Sequence, residues 1–213
     1  MNSFPNQDGK PILLAMVHAI QQNKAYLGEV DGLIGDGDHG MNMNKGFTLF
    51  ETRFGDQDFS FTQGLTELGN ILFSEIGGSM GPIYGTILME AAEAGADAED
   101  IDLNVLAHML GSGLSGLQEI VQAQVGDKTL VDTLSPAVNA LREGVQENQP
   151  FSEALTHMKQ AAADGRDSTK DMVARFGRSS RLGERSRGVL DAGATSCCII
   201  LTAMADAIQE QIA

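Results

Sequence analysis

The chain has 213 residues and 42% hydrophobic content, enough for one well-buried core and short of two full domains, so residues 1–213 are read as a single domain. Lys and Arg total 14 against 29 Asp and Glu, a formal net charge of -15, which argues against nucleic acid as a partner and for a soluble chain. No run approaches the roughly eighteen continuous apolar residues of a membrane span, and Met1-Asn2-Ser3-Phe4-Pro5 carries no basic-plus-apolar signal, so no membrane partner and a cytoplasmic location are expected.

Aromatic residues are only 5%, β-branched runs of strand length are nearly absent, and apolar residues recur at spacings of three and four, so the fold is predicted to be all-α. A first helix carries Leu13, Met16, Val17, Ile20 and Leu27 on one face. If it continues, Asp31 falls about five whole turns after Leu13 and points inward with the stripe. An acid there is costly unless it is paired or ligating.

The chain then reads Gly35-Asp36-Gly37-Asp38-His39-Gly40-Met41-Asn42-Met43-Asn44. Asp36 and Asp38 flank a glycine and point the same way in a locally extended turn, so three carboxylates can converge, and they repel unless cations lie between them. Hard oxygen donors with no Cys and at most one His favour Mg2+ or Ca2+ over zinc, and the glycine spacing lacks the twelve-residue calcium-loop pattern. Met43, Phe47, Phe50 and Phe54 mark a second amphipathic helix, whose first amides at Gly40 to Met43 suit a phosphate beside the metal. The bland alternative is that one Asp caps this helix. Capping needs one acid; here there are three and a His, and His39 is read by default as an orienting group.

Thr62 is the predicted cap of a third helix bearing Leu65, Leu68, Leu72 and Ile76. Gly77-Gly78-Ser79-Met80-Gly81-Pro82 breaks it, and Pro82 suits the first position of a fourth, with Ile83, Ile87, Ala91 and Ala94 on its face and Gly95 as its stop. Asp102 caps a fifth through Leu103, Leu106, Leu110, Leu114, Leu117 and Val121. Gly111, Gly113 and Gly116 lie inside it; each costs ~1 kcal/mol relative to Ala, so they mark a bend or a close helix contact. A polar turn, Gly126-Asp127-Lys128-Thr129, leads into Leu130, Leu134, Val138, Leu141 and Val145, with Pro136 expected to kink this helix or start its main part. Ser152 opens a seventh helix with Leu155, Met158 and Ala162, running on toward Phe176. The last begins at Asp191-Ala192-Gly193-Ala194-Thr195-Ser196-Cys197-Cys198-Ile199-Ile200-Leu201, apolar nearly all round and therefore buried on every side. Its adjacent cysteines read as reduced, small apolar residues. About eight helices with short connections favour an up-and-down bundle or barrel.

Two further glycine-rich loops, Gly77 to Pro82 and Gly188 to Gly193, end at helix starts and can present amides to phosphate. Each alone weighs toward an ordinary turn, and neither is a P-loop. Arg166, Lys170, Arg175, Arg178, Arg181, Arg185 and Arg187 cluster in this very acidic chain. They read either as a solvated surface balancing Asp167, Asp171 and Glu184 or as a flap over polyphosphate, for which the forked donors of Arg are suited.

Taken in order, Gly35-Asp36-Gly37-Asp38-His39-Gly40 with Asn42 and Asn44, then Gly77 to Pro82, Gly126 to Thr129, Leu182-Gly183-Glu184-Arg185-Ser186 and Asp191 to Ser196 resemble the nucleotide-binding L subunit of dihydroxyacetone kinase over nearly the whole chain. The resemblance implies an eight-helix antiparallel barrel with ADP or ATP and two Mg2+ at one end. It implies that Asp31, Asp36 and Asp38 hold the metal, that His39, Gly40, Met41 and Asn42 with Gly78, Ser79 and Met80 match phosphate and nucleotide positions, that Gly126 and Leu130 lie near the adenine pocket, and that Arg178 with Asp191, Ala192 and Gly193 matches the closing loop. Arg178 and His39 are the catalytic candidates. The family usually has a small hydroxyl residue at Met80 and Pro at Ala192. The ketose site of this family is on a separate K subunit, where a His binds the ketone covalently, so a K subunit is the expected partner. Other implied partners are a phosphotransferase-system phosphoryl donor and, as an alternative role, a transcription regulator; a homodimer is also open.

Overall fold

The computed structural model describes residues 2–213 and is all-α apart from one small ribbon. Its helices are α1 (Lys10–Gln22), α2 (Lys24–Ile34), α3 (His39–Phe54), α4 (Phe61–Glu75), α5 (Met80–Ala94), α6 (Leu103–Ile120), α7 (Val131–Gln146), α8 (Phe151–Ser168) and α9 (Ala192–Ile212). Setting α2 aside, the other eight form a closed ring: α1 packs on α3, each helix from α3 to α8 packs on the next in sequence, and α9 returns to α1. Short connections between sequential antiparallel helices produce this up-and-down order. The predicted eight-helix barrel is therefore present, with α2 as an additional helix.

The first two helices were expected to be one. Asn23 separates them: its backbone leaves helical geometry, and its side-chain amide donates to the Ala19 carbonyl at 2.8 Å. Local side-chain bonding of this kind is how Asn competes with helix continuation. The apolar period hides the break, because Leu27 is buried like Leu13, Met16, Val17 and Ile20. The break turns α2 against α3, bringing Asp31 to the start of α3, where the His39 amide donates to Asp31 Oδ2 at 3.2 Å.

Helix starts follow side-chain acceptors. Asp102 caps α6 by accepting from the Val105 amide at 2.8 Å, as expected, and Asp191, in the segment where the last helix was expected to open, caps α9 by accepting from the Ala194 amide at 2.8 Å. Thr62 is not the cap of α4. Ser60 is, in a reciprocal capping box with Gln63, while the Thr62 amide donates to the buried Asn6 side chain. Helix α5 begins at Met80, two residues before Pro82, and α8 begins at Phe151 and stops at Ser168, well short of Phe176. Pro136 neither starts nor ends α7. Its ring leaves the Asp132 carbonyl without the usual helical donor, and Gly165 of α8 packs directly over that carbonyl, with no room for a Cβ.

The glycines of α6 serve close contact: a Cβ on Gly113 would come within 2.8 Å of the Ile87 carbonyl of α5. Two strands too short for a periodic signal, β1 (Ser3–Pro5) and β2 (Asp100–Asp102), pair antiparallel and tie the N-terminal segment to the start of α6. Residues Ala192 to Cys198 are buried without interruption, as the all-round apolar start of α9 required. Among the described residues α9 is the one helix that is long and apolar enough to cross a bilayer by length and composition, although Thr195, Ser196, Thr202 and Asp206 interrupt its apolar run; most of it is packed inside the protein. Cys197 and Cys198 are free and buried there.

Candidate functional site

At one end of the ring, the connections 34–39, 76–80, 120–131 and 168–192 border a cleft of about 520 Å³, within the range of small-molecule sites. Its lining includes the apolar Ile83, Leu117, Val121 and Leu130 together with Asp31, Asp36, Asp38 and His39. A wider hollow of about 810 Å³ lies among Asn6, Ser60, Thr62, Glu93 and Glu99. There Asn6 and Thr62 bond to each other and to backbone, so those groups serve the fold and bring no converging chemistry to the hollow.

The three carboxylates do meet: one ligand oxygen from each of Asp31, Asp36 and Asp38 lies within 4.8 Å of the other two. Gly37 makes this turn with φ of 79°, a conformation open to glycine. Asp38 occupies the N-cap position of α3, yet its side chain accepts no helix N–H, so capping does not account for it. At this separation each pair of charges repels by on the order of 3 kcal/mol at an effective dielectric near 20. The Arg178 guanidinium lies against Asp36. One positive charge against three negative ones leaves a site that suits a divalent cation, and an all-oxygen donor set suits magnesium. The residues present therefore fit the metal that the sequence implied.

His39 is buried, with Nε2 2.8 Å from Ser196 Oγ, which is 2.6 Å from the Tyr84 hydroxyl. Burial pushes the imidazole down to about 4, against the opposing pull of Asp31, so the ring is neutral at pH 7. Its amide holds Asp31 while its ring holds α9. Across the cleft, burial pushes the Asp191 carboxyl up to about 6, opposed by the Ala194 amide and then by Lys128.

Met80, Ser79, Gly78, Asn42, Leu130, Arg178, Asp191, Ala192 and Gly193 all line the cleft with the acids and His39. Gly40, Met41 and Gly126 stand just outside its wall: Gly40 is buried against α2, Met41 is exposed, and the Gly126 amide donates to Asp132 Oδ1 at 2.6 Å. Of the basic cluster, Arg178 reaches the acids. Arg166 pairs with Asp167, Arg175 with Asp127 and Arg187 with Glu184, so charge balancing at the surface describes those three.

Two buried polar residues that sequence reasoning did not single out shape the 126–129 turn. Asp132 accepts from Gly126 and, at 2.8 Å, from Thr129. Lys128, 1% exposed and with φ of 63°, sends its ammonium to the carbonyls of Thr169 at 2.7 Å, Val189 at 2.5 Å and Met172 at 3.4 Å. The one sequence signal for either was a charged residue next to an apolar helix start.

Comparison with known proteins supports the same reading. Residues 33–206 match the DAK2 domain model. The chain is 37% identical over 186 residues to the PEP-dependent dihydroxyacetone kinase 1, ADP-binding subunit DhaL, of Listeria innocua, covering 87% of this chain and 88% of that protein. It is 38% identical over 188 residues to the corresponding ADP-binding subunit DhaL of Escherichia coli K12, covering 87% and 89%. The dihydroxyacetone kinase of C. freundii, solved in complex with AMP-PNP and Mg2+, superposes with a TM-score of 0.71 over 95% of this chain; at 19% identity that likeness shows the fold, and this chain spans 34% of that one. The match over most of its length places this chain in the DAK2 domain family, among the L subunits of dihydroxyacetone kinases.

Proposed function

We propose that this chain, acting as a single L domain over residues 1–213, is the nucleotide-binding phosphoryl-transfer subunit of a dihydroxyacetone kinase or of a kinase for a related short ketose. It holds ADP or ATP through magnesium and passes a phosphoryl group to a ketose bound covalently on a separate K subunit in the cytoplasm. The observation that carries this is the meeting of Asp31, Asp36 and Asp38 under Arg178 at a cleft bordered by four glycine-bearing connections. Magnesium usually takes one or two carboxylates and keeps its other positions for water and phosphate; three carboxylates in one cluster therefore support two ions. When bound, magnesium supplies charge neutralisation and in-line alignment of the phosphates.

The protein's own groups do the rest. Asp31, Asp36 and Asp38 fix the cation positions. The turns at His39 to Asn42 and Gly78 to Met80 bring the starts of α3 and α5, with the positive ends of their dipoles, to the polyphosphate. The apolar wall around Leu130 takes the base, with Gly126 in the adjoining turn. Asp191, Ala192 and Gly193 close the far side. Arg178, on a side chain that is mostly exposed, leaves Asp36 to meet the transferring phosphoryl group and neutralises charge in the transition state. Neutral His39 keeps Asp31 and α9 in register.

Docking has visible support. Leu33, Met41, Phe73, Ile120, Val125 and Phe176 are large apolar side chains left exposed on elements that end at or border the cleft. They suit a partner subunit that brings the acceptor and excludes water. The names of the L. innocua and E. coli relatives, which specify a PEP-dependent kinase with an ADP-binding subunit, support bound ADP recharged by a phosphotransferase-system protein in preference to ATP turnover.

The test is reconstitution: the chain is mixed with a dihydroxyacetone-binding K subunit and either ATP or a phosphotransferase donor. Ketose phosphate should form only with the K subunit present, and acid quenching of the purified chain should release ADP. Formation of ketose phosphate without a K subunit, or none with either donor, would overturn the assignment.

A further inference from the structure

The excursion between α8 and α9, residues 169–191, carries Arg178 to the acid cluster; further out its arms are joined by the Ala174 amide donating to the buried Ser186 hydroxyl at 2.9 Å and by Arg187 donating to the Asp171 carbonyl. What fixes its base is the turn before α7. Lys128 is fully buried, and an ammonium has three protons to donate; Thr169, Met172 and Val189 offer three backbone carbonyls to it. Thr169 and Met172 are on the outgoing stem and Val189 is on the returning one. A single side chain thus draws both stems together, beside the Thr169 hydroxyl that accepts from the Asp191 amide at 3.0 Å and the Gly188 amide that donates to the Lys170 carbonyl at 2.7 Å. The same residue holds a left-handed backbone, a conformation that persists in a non-glycine residue only where its surroundings dictate it.

We infer that Lys128 is a positioning residue for phosphoryl transfer: its ammonium clamps the two stems of the 169–191 excursion to the floor of the cleft and so holds Arg178 over the acid cluster. With its protons committed to the three carbonyls, it acts through the loop and not by touching phosphate. This is distinct from the roles of the acids and of Arg178, and its effect on catalysis rests on the kinase reading given above. The clamp itself does not.

The experiment therefore reads the loop first. The excursion contains Arg175, Arg178, Arg181 and Arg185, which trypsin cleaves when they are free to enter its site. In Lys128→Met, which keeps length and removes the charge, cleavage there should accelerate at least tenfold, while cleavage after Arg53 and Arg142 in the helices stays at the wild-type rate. Unchanged loop cleavage overturns the clamp, and so does acceleration at every site alike. A measurement on the wild type needs no variant: acetic anhydride should modify Lys128 at least tenfold more slowly than the exposed Lys24, Lys45 and Lys170, and equal reactivity overturns the geometry. With a K subunit and a phosphoryl donor, Lys128→Met should lose at least tenfold in turnover, since small misplacements of a catalytic group are costly, with affinity for Mg-ADP within threefold of wild type. Equal losses in both would mark a general structural role and overturn positioning. A wild-type protein with no turnover would indict the kinase reading and leave the proteolysis result standing.

Discussion

The two ends of the barrel are built on different principles. At the far end, where β1 meets β2, the connections are closed by side chains and strand pairing: the Ser60–Gln63 capping box, Asn6 bonded to Thr62 and the Ala98 carbonyl, and Asp102 on α6. At the cleft end all six left-handed glycines of the described residues are found, at positions 37, 78, 126, 177, 183 and 188, and at five of them a Cβ would meet nothing within 4 Å. Glycine there is not required for packing. It frees the backbone to turn and leaves amides uncovered, at the cost of flexibility. The far end is satisfied within the chain but for the buried Gln211 Oε1 beside Asp8, and the cleft end, with three acids against one guanidinium, is the one that the proposed function completes with a ligand.

The largest effect that would break this contrast is at the acids. Asp36→Asn or Asp38→Asn should abolish Mg2+-dependent nucleotide binding, a loss of more than about 100-fold by calorimetric titration, while the ligand-free protein stays folded, because neither side chain has a structural role as a cap. Next comes Arg178→Ala, which should slow transfer by roughly 10²-fold, the scale for one preorganised charge donor, with a smaller change in nucleotide affinity; unchanged turnover at saturating partner would remove Arg178 from the reaction. At the far end Ser60→Ala should cost about 1 kcal/mol of stability by denaturant unfolding and leave nucleotide affinity unaltered. A cap mutation that weakened nucleotide binding would show that the two ends are coupled.

The sequence made the same contrast legible in part. Ring helices could be read from apolar spacing, because each must bury one face, and Asp102 and Asp191 announced their helices as isolated acids before apolar runs. Thr62 misled because Ser60, two residues earlier, has the Gln three positions on that closes a reciprocal box. Asn23 was invisible because Leu27 keeps the stripe in phase across the break. The acid cluster was legible because its three members are close in the chain, whereas the clamp at Lys128 joins a residue to carbonyls 41 to 61 positions away, and backbone carbonyls leave no mark in a sequence. The basic cluster reads either as a solvated surface or as a flap over polyphosphate; three of its members pair with acids toward the surface, and Arg178 lies against Asp36.

The smallest effect concerns pH in the metal-free protein. His39, held at about 4 from an ordinary 6.5, takes its proton in the unfolded state first, so its contribution is in place above pH 6.5 and is lost as pH falls toward 4. Asp191, raised to about 6 from 3.8, contributes below about pH 4 and loses that contribution as pH rises through 6. The two oppose each other between pH 4 and 6.5. Denaturant titrations should show stability falling with pH across that window in His39→Asn, where the Asp191 slope remains, and rising in Asp191→Asn, which retains a capping side chain and leaves the His39 slope. Parallel slopes in the two variants would contradict the opposition.

The most direct test of the central claim is the thermal midpoint of the chain, stripped of bound nucleotide and metal, on adding ADP with and without magnesium. A ligand at one hundred times its dissociation constant stabilises the native state by about 2.7 kcal/mol. Mg-ADP should therefore raise the midpoint clearly, and ADP with a chelator should not, because nucleotide phosphates added to three carboxylates without cations only increase the repulsion. Equal shifts with magnesium and with chelator would mean that nucleotide binds without the acid cluster, contradicting the account.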